Sequence, residues 1–309
     1  MSKTNAIFCL AHGMNITATK RFVQSLEQCQ FSGELVLFLD TSSSVKFKRE
    51  IPTKLKVRIL PSAPSLEQWP SKWDHRRISL WKRVRHYQSL FSKLPDCLTW
   101  PLRNRFAQLF LAPHCFRYFR YLDYLRNCRD RYGKILHCDI RDVILQDDPF
   151  SWVNSNELLI AMEPASPTIR SSQLNSDWIR AAFGDEALAQ VAESAISCSG
   201  TTIGDASAMY EYLVTMTSAM SQANARLWNG LGVDQGVHNF LLYTNRLKHV
   251  TPRHNGAGPF LTLSGADGIK WELDGANEIR DEQGRLIPII HQFDRFPDLE
   301  AQINKKYLP

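Results

Sequence analysis

Short unbroken apolar runs alternate along this chain with stretches whose apolar residues recur every three or four positions. Residues 6–11 (AIFCLA), 35–39 (LVLFL), 135–138 (ILHC) and 158–162 (LLIAM) have the length and content of buried strands, and 55–60 (LKVRIL) alternates until Pro61 stops it. Between them lie helical patterns: one through Phe22, Val23 and Leu26, and a basic one over 73–94 carrying Trp81, Val84, Tyr87 and Leu90. A longer one over 114–131 places Cys115, Tyr118, Phe119, Leu122 and Leu125 on one face. On that wheel Arg117, Arg120 and Arg131 point away from the apolar face, toward solvent. Arg126 and Arg129 fall back toward it unless the helix ends near Asn127. Further helices are expected over about 178–191, after Asp205 (with Met209, Tyr210 and Leu213), and after Asp234 (with Val237, Phe240 and Leu241); either aspartate can cap the helix that follows it. Strands alternating with helices predict an α/β chain with a Rossmann-like, mostly parallel sheet flanked by helices.

The punctuation refines this picture. Residues 165–178 are Ser/Pro-rich and polar, the composition of a loop over a site. Residues 199–204 (SGTTIG) read as a small-residue turn in which a backbone can approach a ligand closely, with Gly200 and Thr201 at its centre. The C-terminal third has turn signals at Asn255-Gly256, Asp274-Gly275 and Gln283-Gly284, and 286–291 (LIPIIH) reads as a strand paired across the last of them. No repeats interrupt the 309 residues, which read as one domain with an elaborated C-terminal third.

Charge changes the picture more than composition does. Apolar content of 44% and charged content of 22% are those of an ordinary globular chain. No run approaches the roughly 18 apolar residues of a membrane span, and the N-terminus lacks the apolar core and cleavage site of a signal peptide. Seven cysteines without CxxC or CxxxC spacing argue against a disulfide framework or a structural zinc site, so a cytoplasmic protein is expected. Within a net charge of +6, residues 76–134 hold 14 Lys and Arg against Asp96, Asp123 and Asp130. One positively charged face follows, whose partner is a diphosphate, an anionic membrane surface or nucleic acid.

The densest chemistry lies in 134–150, KILHCDIRDVILQDDPF. Asp139, Arg141 and Asp142 fall within four positions after a buried strand, where charges are costly to desolvate unless paired. The C-terminal ends of strands in open α/β sheets are also where ligands bind. Either an ion-pair cluster or a ligand site accounts for them. The early strands also end in polar residues, at His12 and at Asp40, as expected around a bound nucleotide. A second cluster, His291-Gln292-Phe293-Asp294-Arg295, follows the last apolar run.

Taken in order, Asp139-Ile140-Arg141-Asp142, Val233-Asp234-Gln235 with Asn239, and His291 resemble GT-A fold glycosyltransferases. They are similar in particular to a group of nucleotide-sugar transferases with a strand ending Asp-x-Arg-Asp, a Gln-x-Asp-Pro-Phe turn and a late His-Gln-Tyr-Asp-Arg. Here the turn is Gln146-Asp147-Asp148-Pro149-Phe150, and Phe293 replaces the tyrosine. The resemblance covers about 114–295. It implies a GT-A-like domain whose residues 1–164 bind the nucleotide and whose residues 165–309 carry the acceptor and catalytic half. It implies a divalent cation, Mn²⁺ or Mg²⁺, on Asp139, Asp142 and His291, with His12, Asp40, Arg117, Arg141, Gly200 and Thr201 also on the donor side. Arg141 stands where the family has its second metal-binding carboxylate, so metal-free catalysis with Arg141 and the basic helices gripping the diphosphate is the alternative. Asp234, with Gln235, stands near the reacting sugar, as base toward the acceptor hydroxyl or as an orienting group.

The resemblance therefore implies transfer from a UDP- or GDP-sugar to a glycan or lipid-linked acceptor in cell-surface polysaccharide synthesis, with peripheral contact at the inner membrane face. A sugar nucleotidyltransferase would need a Gly-rich, basic loop after the first strand, where this chain has Ala11-His12-Gly13-Met14-Asn15. An anionic-surface or nucleic-acid binder would use the basic segment, but no nucleic-acid motif is present and no such partner is expected.

Overall fold

The computed structural model describes residues 3–13, 15–62, 113–164, 166–222 and 233–308. The helix expected over 73–94 and the glycines at 230 and 232 lie outside them.

Strands β1 (Thr4–Leu10), β2 (Glu34–Leu39) and β3 (Lys56–Pro61) alternate with helices α1 (Ile16–Gln28) and α2 (Thr41–Glu50). Asn15 caps α1 through the amides of Thr17 and Ala18, and Asp40 caps α2 through that of Ser43. Helix α3 (Pro113–Arg126) leads into β4 (Tyr132–Cys138), then β5 (Val143–Leu145) and β6 (Leu158–Met162). After α4 (Gln173–Phe183) and α5 (Asp185–Val191) come β7 (Ser197–Asp205), α6 (Ala206–Gln222), α7 (Val233–Tyr243) and β8 (Val250–His254). The C-terminal part adds β9 (Phe260–Thr262), β10 (Trp271–Leu273), β11 (Ile279–Asp281), β12 (Ile289–His291) and α8 (Pro297–Tyr307).

Seven strands form the central, mainly parallel sheet in the order β3-β2-β1-β4-β7-β6-β8, with β7 antiparallel to both neighbours. One face packs on α3, α6 and α7 through Phe8, Val36, Ile135 and Ile160; the other packs on α1 and α2 through Ile7, Leu37, Leu136 and Leu159. Strands covered on both faces are apolar throughout, which is why they stood out as unbroken runs. The order β5-β12-β9 makes a second sheet, and α8 closes over it through Leu299, Ile303 and Tyr307.

Three expectations are corrected and one alternative is decided. Residues 199–204 are not a turn but part of β7, a central strand. The helix expected over 178–191 begins at Gln173, inside the supposed loop, and breaks at Gly184, whose φ of 93° a side chain would resist. Only Ile289–His291 of the 286–291 run is a strand, paired with β5 and β9. Pairing across Gln283-Gly284 is confined to the start of the run, where Leu286 bridges Arg280 and the Ile287 amide donates to the Ile279 carbonyl at 3.2 Å. Of the two ends open for the helix over 114–131, the structure has the earlier, at Arg126 beside Asn127, so Arg126 and Arg129 need not face the core. Among the described residues, no helix is long and apolar enough to cross a membrane.

Candidate functional site

The chain turns between β4 and β5, and that turn decides the geometry of Asp139 and Asp142. Were the strand to continue, the two would face opposite ways. Because β4 ends at Cys138 and β5 begins at Val143, residues 139–142 form a bend and both carboxylates converge. Strand β12 brings the third member. It runs antiparallel to β5 with His291 opposite Val143, and the Gln292 amide donates to the Asp142 carbonyl at 2.8 Å.

His291 Nε2 lies 3.8 Å from Asp139 Oδ2 and 3.8 Å from Asp142 Oδ1, too far for hydrogen bonds. The three donor atoms lie within 4.8 Å of one another, a group that could hold a metal ion. The remaining carboxylate oxygens are engaged elsewhere. Asp139 Oδ1 accepts from Arg117, and Asp142 Oδ2 faces Arg141 Nη2 at 3.3 Å. Two carboxylate oxygens and one imidazole nitrogen thus point into one space, the mixed donor set that Mn²⁺, Mg²⁺ or zinc accepts. On the far side of the imidazole, Nδ1 is 3.5 Å from Thr262 Oγ1 and 3.6 Å from Cys198 Sγ, contacts that fix the ring.

Gly200 keeps that space open. A Cβ there would lie 2.5 Å from His291 Cε1, 2.8 Å from Nε2 and 2.9 Å from Asp139 Oδ2. The register of β7 against β6 jumps here, from Thr202 opposite Ile160 to Cys198 opposite Ala161, so Ser199, Gly200 and Thr201 bulge at the edge of the cluster. Thr201, beside Gly200, is fully buried with its hydroxyl unpartnered, and so offers no exposed group to a donor.

Arg117 departs most from the helical-wheel reading. It is 4% exposed, not solvated, and joins two carboxylates: Asp139, and Asp234 at 2.9 Å. Burial pushes the Asp139 carboxyl up, but Arg117 and then His291 more than offset this and hold it below its usual range. Burial dominates at Asp142; His291 opposes it and Asp139 adds to it, leaving that carboxyl raised.

Asp234 lies in the first turn of α7, 3% exposed, and also accepts from Ser199 Oγ at 3.3 Å. Its neighbour Gln235 donates to Asn175 Oδ1 at 3.1 Å. His114, Cys115 and Asp234 form a second group with donor atoms within 4.8 Å. There, however, Arg117 already supplies the cation, and burial keeps the Cys115 thiol protonated by raising it well above its usual value.

The strand ends assigned to the donor form a rim of their own. Asp40 accepts from the Gly13 amide at 2.8 Å and from Ser43 Oγ at 2.6 Å. Burial raises its carboxyl, but the Ser42 and Ser43 hydroxyls and the Gly13 amide outweigh it and leave the group strongly acidic. His12 bonds Ser62 Oγ through Nδ1 at 2.9 Å and meets the ring of Phe116 edge-on, beside Arg117 in sequence.

Two groups went unnoticed in the sequence. Glu163, at the C-terminal end of β6, has no side-chain partner among the described residues, and burial alone raises its carboxyl. A lone Glu before a proline reads as a strand end, so only the neighbouring charges of the central cluster drew attention. Ser197, His238 and Tyr212 form a hydroxyl–imidazole–hydroxyl chain with bonds of 2.9 Å each. It resembles a nucleophile–base pair, but Ser197 is fully buried and its hydroxyl donates to the Ala161 carbonyl, so it is a core network. Comparison with protein-family models and with curated proteins gives no match.

Proposed function

We propose that this chain is a nucleotide-sugar-dependent glycosyltransferase of the GT-A type, holding Mn²⁺ or Mg²⁺ on Asp139, Asp142 and His291. The observation that carries the reading is the convergence of three donor atoms at the C-terminal end of β4, with the second oxygen of each carboxylate turned to an arginine. The cleared space at Gly200 supports the same reading, since a cluster built only for ion pairing gains nothing from it. The metal would supply charge neutralisation to a diphosphate leaving group. Arg141, whose side chain is 63% exposed beside Asp142, is available to grip the diphosphate oxygens. The rim of His12, Gly13 and Asp40 supports a nucleoside position, with Asp40 an acceptor for ribose or base donors.

On the acceptor side, Asp234 is locked to Arg117 and Ser199, which suits it to holding the site's geometry more than to taking a proton. The acceptor is a glycan or lipid-linked hydroxyl, and membrane contact would be peripheral.

Thermal unfolding with UDP, GDP, CMP or dTDP, each with Mn²⁺ or with EDTA, tests the reading. A nucleotide at about a hundredfold its Kd raises stability by about 2.7 kcal/mol. The expected result is stabilisation by one nucleotide, present with Mn²⁺, absent with EDTA, and lost in Asp139→Asn. Stabilisation that survives EDTA would support the arginine-assisted, metal-free version. No shift with any nucleotide would overturn the proposal.

A further inference from the structure

At the opposite end of the central sheet, where α3 gives way to β4, a cavity of about 260 Å³ is lined by Arg126, Arg129 and Arg131, with Asn127, Asp130 and Tyr210. Three guanidinium groups within six residues repel one another, and Asp130 is the single acid among them. Arg126 lies in the last turn of α3, where a cation complements the helix dipole. Arg131 lies 3.5 Å from Glu34, but that carboxylate is already shared by Arg58 at 3.0 Å and the Tyr132 hydroxyl at 2.5 Å. Arg129 lies beyond the helix, its guanidinium 5.0 Å from the centre of the Tyr210 ring; Arg131 lies 5.7 Å from that of Tyr132. The Tyr210 face holds Arg129 without neutralising it, and Arg131 has only a share of the Glu34 carboxylate. The carbonyls that end α3 are capped from within the chain: Tyr124 accepts from the Asn127 amide at 3.2 Å, and Leu125 from that of Cys128 at 3.3 Å.

We infer that this cavity is a second anion site, gripping a compact di- or polyphosphate group with Arg126, Arg129 and Arg131. Arginine forks match phosphate oxygens bidentately, and a concave wall of three of them selects a compact, multiply charged group over a flat surface. The seven residues of β4 separate it from Asp139 by about 20 Å, so no single diphosphate reaches both places. The site does not depend on the glycosyltransferase reading and would stand if that reading failed. The ligand is either a soluble phosphate or the headgroup of a phosphorylated lipid.

Isothermal titration of the full chain with inorganic pyrophosphate, in EDTA and at low and raised salt, is the test. Wild type is expected to bind pyrophosphate, and more weakly as salt rises. The exposed double variant Arg126→Ala/Arg129→Ala is expected to keep its circular dichroism spectrum and lose affinity about tenfold or more. Co-sedimentation with phosphatidylcholine vesicles, with and without phosphatidylinositol phosphate, separates the sources. Arginine-dependent capture by the phosphorylated lipid names the headgroup, and pyrophosphate binding without capture names a soluble ligand. Absence of pyrophosphate binding, or equal binding by the double variant, would overturn the inference.

Discussion

Arg117 carries the most structural consequence of any side chain in the candidate site. It is one buried cation between two carboxylates, and its removal leaves Asp234 charged and uncompensated inside the protein. Arg117→Met is therefore expected to cost about 3–5 kcal/mol in urea unfolding. Arg117→Lys is expected to recover little, because one ammonium cannot fork to both partners. Gly200→Ala tests the opposite kind of residue, one that acts by its absence. Its methyl would enter the space between His291 and Asp139. Mn²⁺ affinity should fall at least about tenfold, while the far-ultraviolet circular dichroism spectrum stays unchanged. Unaltered metal titration would mean that the space does not hold the ion. Asp139 and Asp142, and separately His291, stood out in the sequence because polar clusters after apolar runs demand an explanation, but their grouping into one set came from the family resemblance. Arg117 did not stand out: a helical wheel sorts residues by an average solvent side, whereas the site lies against the N-terminal part of α3 and turns that side inward.

Elements explain why the rest of the site was only partly legible. Apolar runs and their order yielded the parallel strands, but the pairing of β7 does not follow from its own composition. Ser197–Asp205 is rich in small residues because it bulges beside the cluster and packs tightly, and the same content reads as a turn when pairing is unknown. Where β7 meets α6 and α7, the buried His238 bridges Ser197 and Tyr212, and burial pushes its imidazole down to about 4 from 6.5. Above pH 6.5 the ring is neutral folded and unfolded, so it contributes no pH dependence. As the pH falls from 6.5 toward 4, the unfolded chain takes up a proton that the folded chain refuses, and stability is lost. The loss from this one residue is about 3 kcal/mol. His137, also fully buried, is shifted the same way by burial and by Arg117, so it adds to the slope. Urea unfolding between pH 7 and pH 4 should therefore show a shallower decline in His238→Gln than in wild type. An identical slope would assign the acid sensitivity to other groups.

Across the whole molecule, the candidate site depends on a connection between distant parts of the sequence. Arg21, on α1 and 4% exposed, donates to the Arg141 carbonyl at 2.7 Å and to Asn304 Oδ1 at 2.7 Å, lies 3.1 Å from Glu300, and lies over the Phe293 ring. One guanidinium thus ties the bend carrying Asp139 and Asp142 to α8 and to the segment following His291. No sequence rule marks it, since Arg21 occurs in an ordinary amphipathic helix whose partners lie 120 to 283 residues away. Arg21→Met keeps most of the volume and the alkyl packing but leaves the Arg141 carbonyl and Asn304 without their donor. It is expected to cost about 2–3 kcal/mol in urea unfolding, because buried partners are left unsatisfied. If α8 only covers apolar surface, metal binding should survive this change once the variant is held well below its melting temperature. If Arg21 sets the bend, Mn²⁺ affinity should fall about tenfold or more although Asp139, Asp142 and His291 are all present. Paramagnetic titration of free Mn²⁺ on the folded variant, without nucleotide, separates the two, and the geometry of the bend predicts the second result.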